Sequence, residues 1–277
     1  MTEDLAVEAS APPAPRTAPG RTARLAHALD EAQRRALPIA RPSDDRPLDL
    51  DAAYEVQRAL VSLRTARGER VVGVKLGFTS REKARQMGVD DVIIGSLTDA
   101  MRVVDGDAVP AGRGIHPRVE PEIAFLLGPG IADPDSEASA AIAAVAPALE
   151  VIDSRYRDFR FDLGDVIADD ASASAFAIGP WRAADAAATL ANRAVALELG
   201  GRQAQVGSTA AILGDPLRAI PAAQRLARRR GLELREGMVL LAGAATAAVP
   251  APARGSVAAE VAGLGRVSVR VDEEETR

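Results

Sequence analysis

The 277-residue sequence has no cysteine, only two lysines, Lys75 and Lys83, and only two histidines, His27 and His116. The missing thiols exclude disulfides, zinc-thiolate sites and cysteine nucleophiles together. An excess of positive charge is missing too: the net charge is -5, which gives no electrostatic reason to expect nucleic acid as a partner. No apolar stretch approaches the roughly 18 residues needed to span a bilayer. The N-terminal Met-Thr-Glu-Asp lacks the basic start of a secretory signal, so the expected location is the cytoplasm, with no membrane partner. G-x-G-x-x-G, Walker, G-x-S-x-G and H-E-x-x-H motifs are absent as well. What remains is an ordinary globular composition, 47% hydrophobic and 26% charged, long enough for a substantial core.

Short strands alternating with turns, and few helices, predict an α+β fold built on a mixed, rolled β-sheet or β-sandwich with flanking helices. The expected organisation is a disordered tail over 1–22, a single catalytic domain over 23–271 and an acidic tail over 272–277. Within the domain, 23–68 form a helical part and 69–271 the rolled-sheet core. Residues 23–36 carry apolar positions at helical spacing. A second helix runs from Leu50 to Arg67, started by Asp49 or Asp51, with Tyr54, Val56, Leu60 and Leu63 turned inward. The β-branched run 70–78 predicts a strand closed by glycine. Thr79-Ser80 then read as the N-cap of a helix over 81–87; with the segment to Met101, which carries Asp99, it forms a lid over a pocket, or else a plain surface excursion. Alanine-rich 138–146 reads as a helix, and 221–230 as another.

Chemistry concentrates in His116-Pro117-Arg118-Val119-Glu120-Pro121-Glu122-Ile123-Ala124-Phe125. The two prolines disfavour a helix, and strand side chains alternate, so Glu120 and Glu122 point the same way. Glu150 sits inside another apolar run, from Ala148 to Ile152. Carboxylates converging on rigid strands suit a hard cation such as Mg²⁺ or Mn²⁺. The alternative places Glu120 and Glu122 on the wet face of an edge strand and Glu150 on an exposed helix. Lys75 lies mid-strand among apolar neighbours, in a chain that writes arginine at nearly every other basic position. It either snorkels to water or faces an anion in a cleft, and the nearby acids favour the cleft. Ala168-Asp169-Asp170-Ala171-Ser172-Ala173-Ser174, small and polar ahead of an apolar run, suits a wall that a ligand approaches closely, or a serine-rich turn.

The segments GVKLGFTS, MGVDDVIIGSLTDAM, HPRVEPEIAFLLG, ALEVIDSRYRDFRF and VIADDASASAFAIG, in this order, resemble the fumarylacetoacetate hydrolase superfamily over about 25–271, and within it the hydratase/decarboxylase branch. The resemblance implies that family's C-terminal-domain fold, with Glu120, Glu122 and Glu150 as metal ligands, Lys75 as the active-site lysine and Ser172 as a substrate-contacting serine. Thr79, Ser80, Asp99, His116 and Asp170 become candidates for the substrate site or lid. It further implies metal-dependent decarboxylation of the 2-oxo dicarboxylate 2-oxo-3-hexenedioate (4-oxalocrotonate) to 2-hydroxypenta-2,4-dienoate in aromatic degradation, in a homo-oligomer able to associate with the pathway hydratase. The sister hydratases carry an acid where this chain has Ile93, and R-I-E-A-E in place of the stretch from His116 to Glu122, so a decarboxylase is favoured over a hydratase. A hydrolase cleaving carbon-carbon bonds of acylpyruvates would need a base that the residues do not reveal. A silent partner subunit is disfavoured by retention of all three glutamates and Lys75. Asp170 stands where the family has asparagine and adds negative charge beside the expected pocket.

Overall fold

The computed structural model describes residues 20–41, 47–80, 91–110, 114–133 and 137–272. Two helices come first. α1 (Arg21–Arg35) buries Leu25, Ala26, Leu29 and Ala32 along one stripe, and places Arg34 and Arg35 at its negative end. α2 (Leu50–Ala66) is capped by Asp49, whose carboxylate accepts the Ala52 amide at 2.8 Å. Its faces serve different neighbours: Val56 and Leu60 pack with α1 residues, while Ala53 and Tyr54 join the core under the sheet.

The strands follow as β1 (Val71–Gly77), β2 (Ile93–Thr98), β3 (Arg102–Val103), β4 (Ala108–Pro110), β5 (Arg118–Leu127) and β6 (Ile142–Ile152). A short helix, α3 (Leu163–Ala168), leads to β7 (Ala173–Ile178), β8 (Arg182–Ala183), β9 (Ala194–Leu199) and β10 (Arg202–Ser208). α4 (Ala219–Arg230) precedes β11 (Val239–Ala244), β12 (Val249–Pro250), β13 (Gly255–Val261) and β14 (Gly265–Asp272). One sheet has the order β2-β1-β11-β5-β6-β7-β3, with β12 beside β5 and β8 beside β6; the other runs β10-β9-β13-β14-β4. Parallel pairs (β1 with β11, β3 with β7, β14 with β4) interrupt otherwise antiparallel neighbours. This is the mixed α+β arrangement expected, and the larger sheet is rolled. Since β11 and β5 separate β1 from β6, side chains on those strands would stand roughly 14 Å apart in a flat sheet. Lys75 of β1 instead meets Glu150 of β6 at 2.8 Å.

Alternation sorts β5 and β6 into two faces. Ala124, Ala146 and Ala148 line the inside of the roll with Phe176 and Leu241, where small residues suit the tight radius. On the outside, Val119 and Leu149 pack against Leu197, Val257 and Val267 of the smaller sheet, and Ile123 and Phe125 share a core with Ile220 and Leu226 of α4.

The helix expected over 138–146 is not formed. Residues 138–141 make a turn, and β6 begins at Ile142. Alanine's helix preference is a weak prior, overridden here by backbone pairing with β5 along nearly the whole strand. β4, β12 and β13 are further strands that the pattern did not suggest. α1 begins inside the expected tail, and β14 extends to Asp272. The rest of both tails, 1–19 and 273–277, lies outside the described residues, as do the expected lid helix 81–87 and Lys83. Among the described residues, no helix is long and apolar enough to cross a membrane.

Candidate metal centre and active site

The β5–β6 register places Glu120 directly opposite Glu150 and Glu122 opposite Ala148. Alternation puts Glu120 and Glu122 on the same inner face, and one ligand atom from each of the three glutamates lies within 4.8 Å of the others. The residues are 5%, 1% and 0% exposed in the order 120, 122, 150. Burial and then the Glu150 charge push the Glu122 carboxyl well above its usual range, and burial likewise raises Glu150 against the opposing pull of Lys75. The Gly243 amide donates to Glu122 Oε2 at 2.8 Å. No hydrogen-bond donor among the described residues serves Glu122 Oε1 or Glu150 Oε1. Clustered, enclosed carboxylates with unserved oxygens are costly unless a cation compensates them, and an all-oxygen donor set is that of a hard divalent ion. The residues fit such an ion.

Two further elements complete the wall. Lys75, 4% exposed, reaches across the roll so that Nζ lies 2.8 Å from Glu150 Oε2 and donates to the Ala171 carbonyl at 3.2 Å. Burial alone would lower its pKa, but Glu150, Glu122 and Glu120 together outweigh burial and raise it, so the amine is a cation. Gly243, at φ 120°, packs so tightly on Thr79 that a Cβ would collide with the threonine side chain. Lys75, Phe78, Thr79, Ser80, Glu120 and Ala244 enclose a cavity of about 30 Å³. A roomier apolar pocket of about 240 Å³ lies behind β5 and β6, lined by Val119, Val151, Val257 and Val269, and among the described residues no titratable side chain borders it.

Of the residues singled out from the sequence, Glu120, Glu122, Glu150, Lys75, Thr79 and Ser80 are brought together. Ser172 is buried in the turn whose middle carbonyl meets Lys75, with its Oγ 3.5 Å from Asp169 Oδ2. His116 is fixed in the loop before β5: its backbone amide and that of Ile115 donate to Asp153 at 2.8 and 2.7 Å, and its ring centroid lies 4.6 Å from that of Phe159. Asp99 is not brought to the site. The β1–β2 register sets Lys75 opposite Gly95, leaving Asp99 about four residues, roughly 13 Å, further along, where it accepts from the Arg70 amide and Nε at 2.9 Å each.

Asp170 also turns away from the cavity, its Oδ1 accepting the Ser96 amide at 2.8 Å. Burial pushes this carboxyl up to about 7. The folded state therefore binds a proton that the unfolded chain releases near its ordinary value of 3.8, so this group's contribution to stability falls as pH rises from about 4 to 7. Asp170→Asn keeps an acceptor for Ser96 and removes the penalty. Its stability gain over wild type should widen by about 2 to 3 kcal/mol between pH 5 and pH 8. Urea unfolding at both pH values checks this, and a gap independent of pH contradicts it.

Gly243, Phe78, Arg155 and Asp169 were not foreseen as site residues. The only sequence signal for Gly243 was a glycine closing an apolar run; Asp169 was seen only as part of the small polar cluster, and Arg155 carried no signal of its own.

The family profile described as fumarylacetoacetate (FAA) hydrolase C-terminal matches residues 71–272. A 4-oxalocrotonate decarboxylase from Pseudomonas sp is 48% identical over 142 residues, 50% of this chain and 56% of the relative. A 2-hydroxyhexa-2,4-dienoate hydratase from Comamonas testosteroni is 39% identical over 143 residues, 49% of this chain and 53% of the relative. The chain thus spans about half the length of the curated relatives it matches. Among solved structures, 4-oxalocrotonate decarboxylase from Pseudomonas putida G7, complexed with magnesium and adipate, superposes with a TM-score of 0.84 at 34% identity, covering 91% of this chain and 97% of that one. With a profile match over most of its length and this fold, the chain belongs to the fumarylacetoacetate hydrolase C-terminal family.

Proposed function

We propose that the protein is a divalent-metal-dependent carboxy-lyase that converts 2-oxo-3-hexenedioate to 2-hydroxypenta-2,4-dienoate and CO₂, with Mg²⁺ or Mn²⁺ as its ion. The observation that carries this reading is the buried Glu120, Glu122 and Glu150 triad with the Lys75 ammonium against it. Support comes from the 34% identical decarboxylase whose structure holds magnesium and the six-carbon diacid adipate.

In the proposed reaction the C5–C6 bond breaks and C6 leaves as CO₂. The released pair forms a C4=C5 double bond, the C3=C4 pair moves to C2–C3, and negative charge arrives on the 2-oxo oxygen, which takes up one proton. A divalent ion held by the three glutamates supplies Lewis acidity toward the 2-oxo acid end. Three carboxylates and such an ion leave a site charge near -1, and Lys75 brings it near zero before substrate arrives. The Lys75 ammonium opposes the charge developing on oxygen and can hold the proton at Nζ. The Ser172 hydroxyl orients the 1-carboxylate. Thr79 and Ser80 form part of the cavity wall beside Lys75.

Ile93 supports decarboxylation over hydration: it is buried and packs over Gly77, offering no acid to assist addition of water. Purified protein with Mg²⁺ is expected to release CO₂ from 2-oxo-3-hexenedioate. It is also expected to leave 2-hydroxypenta-2,4-dienoate unhydrated over the same period, which ultraviolet absorbance follows. Rapid accumulation of 4-hydroxy-2-oxopentanoate would reverse the choice. The same reading includes a cytoplasmic homo-oligomer able to associate with the pathway hydratase, which light scattering of the protein alone and mixed with that enzyme tests.

A further inference from the structure

Arg155 is 1% exposed, takes no part in the reaction above, and uses its guanidinium wholly inside the protein. Nε meets Asp169 Oδ1 and Nη2 meets the Asp169 carbonyl. Nη1 donates to the Asp153 carbonyl at 3.0 Å and the Ala173 carbonyl at 2.9 Å. Asp169 and Ala173 flank the turn Asp170-Ala171-Ser172 on its two sides. Ser172 is tied in as well, its amide donating to the Asp169 carbonyl and its carbonyl accepting from the Asp153 amide, each at 2.9 Å.

Between these anchors all three residues are left-handed, at φ 51°, 52° and 58°, and none is glycine. Each such residue costs roughly 1 to 2 kcal/mol, so the turn persists only where its surroundings over-determine it. The outcome of this strain is one carbonyl, that of Ala171, aimed at the Lys75 ammonium at 3.2 Å. The planar guanidinium fork suits this task better than an ammonium would, because one rigid group reaches the carboxylate and three carbonyls at fixed angles.

We propose that Arg155 is a positioning residue for Lys75: by clamping Asp169 and Ala173 it locks the strained turn whose Ala171 carbonyl sets where the lysine ammonium stands. The role of Lys75 on which this rests is the one assigned under the proposed function. Arg155→Lys keeps a charge opposite Asp169 but loses the fork, and Asp169→Asn is the near-isosteric second variant, which decides if the first does not fold. In either, kcat falls about 10- to 100-fold while KM and Mn²⁺ affinity stay within about two-fold, as for a displaced catalytic group. In a Lys75→Met background the same substitutions have no further effect on kcat. Equal losses with and without Lys75 would show a purely structural role and overturn the proposal.

A second readout is independent of activity. Acetylation of Lys75 by acetic anhydride is measured by mass spectrometry against Lys83 in the same sample. The Lys75 to Lys83 ratio rises several-fold in either folded variant, and an unchanged ratio overturns the proposal. If the wild type decarboxylates no 2-oxo dicarboxylate, the proposed function fails while this ratio still decides the role of Arg155.

Discussion

Lys75→Met lowers kcat by about two to three orders of magnitude, and Lys75→Arg lowers it nearly as far. The lysine stands between the Glu150 carboxylate at 2.8 Å and the Ala171 carbonyl at 3.2 Å, a slot that a compact ammonium fills and a planar guanidinium does not. A preorganised donor acting on charge that develops during the reaction contributes roughly 3 to 4 kcal/mol, which sets the size of the loss. Methionine preserves the apolar stem at this buried position, so the folded state survives, and magnesium affinity changes little because the three glutamates remain. Steady-state kinetics with a magnesium titration on each variant measures both quantities. Near-normal turnover by Lys75→Arg refutes the assigned role, since a lysine that only snorkelled to water would tolerate the exchange.

Removing divalent metal abolishes turnover, and Mg²⁺ or Mn²⁺ restores it. The motive is the enclosed triad, whose Glu122 Oε1 and Glu150 Oε1 no hydrogen-bond donor among the described residues serves. Stability follows the same chemistry. The raised carboxyls of Glu122 and Glu150 mean that the metal-free fold binds protons the unfolded chain lacks, so their contribution is present below the ordinary glutamate pKa and is lost as pH rises through the folded values. A cation replaces those protons, so the melting-temperature difference between magnesium and EDTA samples should grow from pH 6 to pH 8. At a hundred times the dissociation constant the gain is about 2.7 kcal/mol. Undiminished turnover by metal-free protein sinks the mechanism, and a difference that shrinks with pH contradicts the electrostatic account.

The parts of the site that could be read beforehand were those encoded by alternation within one strand. Glu120 and Glu122 had to share a face, and a lysine in a β-branched run of an arginine-writing chain had either to snorkel to water or to face an anion, the acids favouring the second. The pairing of Glu150 with Glu120 was not readable, because register between strands separated by fourteen residues depends on the loop and on both flanking strands. Nor was the approach of Lys75, which needs the curvature of a sheet whose β1 neighbour, β11, comes more than 160 residues later. The alanines of β6 misled for a related reason: local preference favoured a helix, while a narrow roll interior favours small side chains on a strand. Asp170 shows the limit of reading charge from sequence. It looked like a negative charge facing substrate, but its backbone turns left-handed and delivers the carboxylate to Ser96 instead.

The β5–β6 pairing also governs where the chain can change length. Because strand side chains alternate with a period of two, one residue inserted in the regular stretch between Ala144 and Glu150 with the pairing of that stretch kept would carry Glu150 to the outer face, among the valines packed on the smaller sheet, while Glu120 and Glu122 stayed inside. A deletion there does the same. The connection from Gly128 to Ala141 is under no such parity rule, since added residues there extend the loop without moving the register. Added length in this hairpin is therefore expected to be tolerated in the connection and at the irregular start of β6, whereas between Ala144 and Glu150 only paired insertions would keep the three acids on one face.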